Sequence, residues 1–551
     1  MRFQKVIVGL AAVAALLAFP PAARAQEGGP RAVPEEFRLY VQTHFSQGWS
    51  LGLLDLFPRI SAPGFRDGIY WRSVEKEPGQ YDLSRFAPYF EAARRQGLEP
   101  LVVFAGAHPA YDDGTTPYTD EGRRAFARYV AAVVAAYPDV IRRLEIGNEY
   151  NTNGFLSGPF EDDPGRYFGP LAKEVAKAVK AAQPDTEIIC TGAHSVATGY
   201  LRKAFESGAL EHCDAISFHP YRDAPENVDV EIARLRALMR EFGGEKPLYV
   251  TEFGDWFEDP RDAPDFMLKM VSMMGAAGVS GAYWYALLDE KHWPNMGLFT
   301  SDLEEKPAAA TFRLLQNELL PLGRPVARGK RREDHLYEFG QGGRAFVAWG
   351  APGELHVEGP AAFFDSKGRR IDPVRQLSDT PVVIVGEGIK VSIHRDRPVH
   401  SAFLGYGAAP WSYFAVSRDA EIWPFKVMDG NWNPYLGHPD LDRMSVTPVK
   451  VVTGYPSGQP AHVVERFTAP RSGTYEIHGR WFREKPDADG ADIRISRNGE
   501  VLATGVVSDA PFEWRVSRLE LEAGDTLDFA VGPNRDWGGD YVRREITVTG
   551  P

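Results

Sequence analysis

The sequence predicts an α/β chain: a (β/α)8 TIM barrel followed by two all-β sandwich domains. From about Phe37 to Leu320, short apolar runs alternate with amphipathic helical stretches, the pattern of a parallel sheet covered by helices. After Leu320 the helical periodicity stops, and short alternating runs separated by Gly, Pro and Asp take over. Eight strand–helix units in roughly 280 residues suit a closed barrel, whose active face lies at the C-terminal strand ends. An open doubly wound sheet is the architectural alternative.

The eight expected strands are Phe37 to Thr43, Gly68 to Trp71, Glu99 to Phe104, Arg143 to Ile146, Glu187 to Thr191, Ala215 to Phe218, Leu248 to Thr251 and Gly281 to Tyr285. Between them, Leu83 to Gln96, Asp120 to Ala136, Pro164 to Ala182, Val230 to Phe242 and Pro264 to Ala277 read as helices, several with Pro or Gly at an end. The barrel is assigned to residues 26–320 and a small β-sandwich to 321–399, with runs such as His335 to Phe339, Arg344 to Trp349 and Val382 to Val385. A larger sandwich of jelly-roll type is expected over 400–551, from Gly473 to Arg480, Asp492 to Arg497 and Thr526 to Val531.

Residues 1–25 read as a signal peptide: Arg2 and Lys5, an apolar stretch from Val6 to Phe19, then Ala23-Arg24-Ala25 as the cleavage site. The apolar stretch is shorter than the ~20 residues that span a bilayer, so a cleaved leader is expected over an anchor, and the mature chain secreted or periplasmic without stable membrane insertion. The formal charge is −13, or −16 with Arg2, Lys5 and Arg24 set aside, and it is spread without long runs of one sign. Bulk electrostatics therefore argue against nucleic acid as partner. Cys190 and Cys213 are the two cysteines; a disulfide between them is possible in an oxidising compartment, but their expected places toward opposite ends of neighbouring strands favour unpaired burial. No zinc spacing and no phosphate-binding glycine loop is present, so no cofactor or metal is expected. The oligomeric state is not legible.

Two motifs carry the chemistry: Leu144-Glu145-Ile146-Gly147-Asn148-Glu149 and Leu248-Tyr249-Val250-Thr251-Glu252-Phe253-Gly254. Each leads from an apolar run into a glutamate, as where a buried barrel strand emerges on the active face. By strand count Glu149 ends the fourth strand and Glu252 the seventh. Glycosidic cleavage needs two such carboxyl groups, one to protonate the leaving oxygen and one to attack the sugar or activate water. Strand-end glutamates also cap helices or pair with arginines, but both in register make the catalytic reading the stronger one.

The barrel segment resembles the retaining glycoside hydrolases of clan A, closest in style to family 39 and its secreted endoglycosidases of biofilm exopolysaccharide. The resemblance rests on Arg66 with Asp67-Gly68-Ile69-Tyr70-Trp71, Glu75-Lys76-Glu77-Pro78-Gly79-Gln80-Tyr81, Gly147-Asn148-Glu149, Ser217-Phe218-His219-Pro220-Tyr221, Thr251-Glu252-Phe253-Gly254 and Tyr283-Trp284-Tyr285. It implies Glu149 as acid/base and Glu252 as nucleophile. Glu149 is expected to be kept protonated by partial burial and the neighbouring negative charge. The resemblance further implies that Asn148 bonds the sugar 2-hydroxyl, that Arg66 holds the nucleophile ionised, that Tyr221 reaches the nucleophile and His219 lines the site, and that Trp284 is an indole platform beneath the sugar. For the isolated residues, a turn former at Asn148, a rim salt bridge at Arg66 and a core histidine at His219 remain open. Trp71 and His108, at the ends of the second and third strands, are cleft candidates or ordinary packing.

The expected substrate is a polysaccharide or oligosaccharide, with endo-action on an exopolysaccharide preferred. An exo-acting β-xylosidase-like enzyme and a non-catalytic matrix carbohydrate-binding protein are the alternatives. Of the six tryptophans Trp411, Trp423, Trp432, Trp481, Trp514 and Trp537 in the last segment, most are expected in its core.

Overall fold

The computed structural model describes residues 36–456, 459–484, 489–534 and 541–551; the leader over 1–25 and Trp537 lie outside them. Eight strands, β1 (Arg38–Gln42), β2 (Gly64–Tyr70), β3 (Glu99–Ala105), β4 (Arg143–Ile146), β5 (Glu187–His194), β6 (Ala215–His219), β7 (Leu248–Phe253) and β8 (Gly281–Trp284), form a closed barrel. Each pairs in parallel with its sequence neighbours, and β8 closes on β1.

Side-chain alternation sorts the residues of these strands. Leu39, Val41, Val102, Phe104, Leu144, Ile146, Leu248 and Val250 face the helical layer. Tyr40, Leu101, Ile189, Ala215, Tyr249 and Tyr283 meet inside the barrel as a separate buried cluster. Two residues further along their strands, Gln42, Ser217 and Thr251 form part of a buried polar layer, joined by Arg66 and Glu145.

The expected helices are present as Ala87–Gln96, Asp120–Ala136, Pro164–Ala182, Val228–Glu241 and Ala263–Ala276. Two more, Thr198–Glu206 and Pro307–Leu314, span nine and eight residues, too few for periodicity to stand out in the sequence. Strand β2 starts at Gly64, earlier than expected, because Arg66 and Asp67 interrupt its apolar pattern; Trp71 opens the short helix Trp71–Val74.

Cys190 and Cys213 form a disulfide, with Cα atoms 5.9 Å apart, which corrects the expectation of unpaired thiols. Cys213 does not start β6. It caps the short helix Ala209–His212, outside the strand, and joins the same helix-facing core as Cys190. Both side chains therefore point into one layer.

After the barrel, a six-stranded sheet from Pro325–Ala327 to Arg370–Ile371 includes Asp334–Phe339, Ala345–Gly350 and Val382–Gly386. One face, with Tyr337, Phe339, Val347 and Trp349, belongs to the barrel's own core. The other, with Leu336, Phe346, Ala348 and Ile384, packs with Leu355, Leu377 and Ile389 around a three-stranded sheet. The last segment is built of an eight-stranded and a six-stranded antiparallel sheet around a separate core. Trp411 and Trp481 are buried in that core and Trp423 and Trp514 pack against it, whereas Trp432 is 54% exposed. Arg332 ties the segments together, donating to Asp229 of the barrel and to the Leu404 carbonyl. Among the described residues, no helix is long and apolar enough to cross a membrane.

The disulfide links positions separated by 23 residues. Chain-entropy loss for a loop of that size is worth about 3 kcal/mol. A Cys190→Ala/Cys213→Ala double variant is expected to lose about that much stability in urea unfolding, and a denaturant midpoint equal to wild type would refute a stabilising role.

Candidate active site

Arg66 sits at the centre of the barrel mouth, 2% exposed. Its Nε donates to Glu145 Oε2 at 2.7 Å, its Nη2 to Asn148 Oδ1 at 2.7 Å, and its Nη1 to Gln42 Oε1 at 3.0 Å and to Glu252 Oε1. Burial works against this cation, but Glu145 and Glu252 outweigh it and raise its pKa, so Arg66 is a fixed charge. Asn148 therefore has its carbonyl oxygen committed to Arg66, which turns its amide group toward other partners.

Glu252 reaches the mouth through a bulge. Opposite β8, Tyr249 pairs with Gly281, Val250 with Ala282 and Phe253 with Trp284, so Thr251 and Glu252 together face Tyr283 alone. The additional residue resets the alternation, so that Thr251 and Glu252 both reach the polar layer while Phe253 returns to the outer core. The Tyr221 hydroxyl, on the loop after β6, donates to Glu252 Oε2 at 2.7 Å. Burial and the Glu252 charge push the Tyr221 pKa well up, so it remains a donor.

Glu149 lies on the loop after β4 in the left-handed region, with φ 47°. A non-glycine residue held there costs about 1–3 kcal/mol, and such strain clusters at functional sites. It is held by its own N–H, which donates to Gly192 O at 2.7 Å. Gly192 belongs to a second bulge: Cys190 pairs with Ile216 and Ala193 with Phe218, leaving Thr191 and Gly192 opposite Ser217. A Cβ at Gly192 would come 3.1 Å from Glu145 Oε1 at a φ of +42°, so glycine lets β4 and β5 approach here. The bulge also carries His194 to Glu149.

Two imidazoles bond the same carboxyl oxygen. His194 Nδ1 and His219 Nδ1 lie 3.0 and 2.9 Å from Glu149 Oε1. On its other side, His219 Nε2 lies 3.0 Å from Thr251 Oγ1, whose hydroxyl donates to Glu145 Oε1 at 2.7 Å. Because that hydroxyl is spent as a donor, His219 Nε2 carries a hydrogen, and Nδ1, facing Glu149, is the nitrogen that titrates.

The charge state of Glu149 differs from the sequence expectation of a protonated acid. Burial pushes its pKa up, but the hydrogen bonds from His194 and His219 dominate and bring it down to about 2. Burial likewise opposes charge on His219, and Glu252 and Glu149 overcome it, raising the imidazole's pKa. The two groups thus face each other across one hydrogen bond, each drawn toward its charged form by the other.

Six of the sequence-derived residues, Arg66, Asn148, Glu149, His219, Tyr221 and Glu252, come together in this network. Trp284 does not, and the platform expectation is corrected: it is fully buried, donates to Met296 O at 3.0 Å and packs on Phe253 and Phe257. Strand parity is the reason. Tyr283 points inward and Trp284 outward, so Tyr285 is the aromatic that returns to the mouth, 6.4 Å from the Tyr221 ring and bonded to His44. Trp71 and His108 are packing residues: the Trp71 indole donates to Glu75 and stacks on Tyr111, and His108 Nε2 lies 2.9 Å from the Glu75 carbonyl.

Glu145, Gln42, His194 and the His44–Glu290 pair escaped the sequence reading. Glu145 was legible as a charge inside an apolar strand; His194 needed the bulge. One oxygen each of Glu149 and Glu252 and one nitrogen of His219 lie within 4.8 Å of one another. The positive charge already facing these carboxylates comes from Arg66 and the imidazole.

No protein-family model and no curated protein matches the chain. Among solved structures it is similar to a family 39 glycoside hydrolase from the gut symbiont Bacteroides cellulosilyticus WH2, at 20% identity and a TM-score of 0.54, over 64% of this chain and 82% of that one. It also matches a GH39 β-xylosidase from Caulobacter crescentus (17%, TM-score 0.47, 66% of this chain and 98% of that one) and a GH30 endoxylanase from Clostridium papyrosolvens C71 (12%, 0.41, 91% and 97%). The likeness to the Bacteroides cellulosilyticus structure establishes the fold, which this chain shares with a family 39 glycoside hydrolase.

Proposed function

We propose that this protein is a retaining glycoside hydrolase that is exported and cuts a polysaccharide, endo-acting on an exopolysaccharide, with Glu252 as nucleophile and Glu149 as acid/base. The carrying observation is the approach of the two carboxyl groups, with oxygens within 4.8 Å. Carboxyls about 5–5.5 Å apart serve double displacement, whereas inversion needs about 6.5–9.5 Å to admit a water.

In the first step Glu252 bonds the anomeric carbon while the bond to the leaving oxygen breaks. Glu149 supplies the proton to that oxygen, having drawn it from His219 Nδ1. In the second step water gives a proton back to Glu149 and attacks the same carbon, releasing Glu252. Arg66 and Tyr221 orient the nucleophile's two oxygens, one each. Endo-action draws support from exposed aromatics on the loops of the active face: Phe155 after β4, and Trp256 and Trp293 after β7 and β8, the last two with rings 6.0 Å apart. Such surfaces suit sugar rings beyond the cleaved pair.

Incubation of the protein and its Glu252→Ala variant with bacterial exopolysaccharides and plant β-glycans, with products sized by mass spectrometry, tests the reading. Oligosaccharides from wild type alone are expected; monosaccharide alone would replace endo- by exo-action, and turnover unaffected by Glu252→Ala would refute the mechanism. Glu149→Ala should slow polymer cleavage by about 10²–10⁴-fold, with a smaller loss on a glycoside whose leaving group needs no proton.

The pH profile follows from the proton's location. Catalysis needs one proton on the Glu149–His219 pair, and that proton is lost as pH rises through the raised pKa of His219. In a His194→Asn/His219→Asn double variant, which removes both imidazoles bonded to Glu149, the proton must sit on Glu149 itself, a weaker base. The alkaline limb of kcat/KM is expected to move to lower pH, and a limb that stays or rises would contradict the shared proton.

A further inference from the structure

The rim of the active face beside Glu149 is not built by the barrel alone. Between strands Lys426–Met428 and Tyr435–Gly437 of the last segment, residues 429–434 form a loop laid over the end of β5. Gly199 N donates to Gly430 O at 2.9 Å and Val196 N to Asn433 Oδ1 at 3.1 Å, while Arg202 pairs with Asp429 at 2.5 Å. Gly199 allows the approach: a Cβ there would stand 3.2 Å from Gly430 O. Elsewhere Arg543 of the same segment bonds Asp223 on the loop after β6, so the sandwich grips the active face at two points.

At the tip of this anchored loop stands Trp432, 54% exposed although its neighbours are tied down. Its ring meets His194 at 5.1 Å and 86°, and His194 Nδ1 bonds Glu149 at 3.0 Å. A rigidly presented indole with half its surface in water forgoes considerable burial energy, and its flat face matches the C–H face of a pyranose.

Resting on the glycosidase reading, in which Glu149 marks the leaving-group side of the cleaved bond, we propose that Trp432 is the platform of a leaving-group subsite: the C-terminal sandwich completes the cleft by stacking the sugar ring that departs. The specificity for a sugar beyond the cleaved bond is thereby carried by a domain other than the barrel.

The test compares wild type, Trp432→Ala and Trp432→Phe on two probes of one sugar: the β-linked tetrasaccharide, and the β-glycosyl fluoride, whose leaving group leaves that subsite empty. D-glucose, D-galactose, D-mannose and D-xylose series are used, together with oligosaccharides from any polymer cut in the panel above. Trp432→Ala is expected to lower the ratio of kcat/KM for tetrasaccharide over fluoride by about tenfold, mainly through KM, and Trp432→Phe to recover part of it. Unchanged thermal unfolding of the variants shows that the loss is local. Wild-type turnover with an unaltered ratio in Trp432→Ala would overturn the subsite and leave the glycosidase reading standing; absence of wild-type turnover on every probe would overturn both.

Discussion

The buried guanidinium of Arg66 is the interaction on which the barrel mouth depends. It bonds Gln42 on β1, Glu145 on β4, Asn148 on the following loop and Glu252 on β7, so a single side chain ties distant parts of the barrel together. Burying a cation is costly unless carboxylates face it, and burying Glu145 and Glu252 without the cation would be as costly. Each charge is therefore tolerable because of the others, and all are held in one geometry. Ser217 and Thr251, both bonded to Glu145 Oε1, extend that constraint to β6 and β7.

From this centre the network runs to the second carboxyl group through hydrogen-bond direction. Glu145 accepts from Thr251, Thr251 accepts from His219, and His219 is left with Nδ1 toward Glu149. The same residue that anchors Arg66 thus sets the tautomer of the imidazole that shares a proton with the proposed acid. Two β-bulges make this possible. One turns Glu252 into the mouth; the other lifts Gly192 to hold the left-handed Glu149 and brings His194 to it. Departures from regular strand geometry occur where the chemistry is proposed, as expected of features that re-aim side chains.

The appended sheets play unequal parts. The middle sheet shares its core with the barrel helices through Trp349, Tyr337 and Phe339, and is part of one packed body. The last segment has its own core and touches the barrel with polar contacts, several of them at the active face. Its placement, rather than its interior, gives it a stake in the cleft.

The sequence by itself determined the barrel, its strand count, the appended β-sheets and the strand-end positions of Glu149 and Glu252, because hydrophobic periodicity and strand-end position are properties of local sequence; that Arg66, Asn148, His219 and Tyr221 join them was implied by the family resemblance and not by any local pattern. It misjudged Trp284, since identity at a strand end says nothing about which face a residue takes once a bulge or a strand end intervenes. It missed the disulfide, because one turn of helix before β6 moved Cys213 into the layer that Cys190 occupies. Only the tertiary structure decided that His194 and Glu145 enter the site, that two imidazoles bond Glu149, and that Trp432 stands beside them. These depend on bulges, on charges from distant strands and on a loop more than two hundred residues away in sequence meeting at one barrel mouth, and no local pattern encodes such meetings.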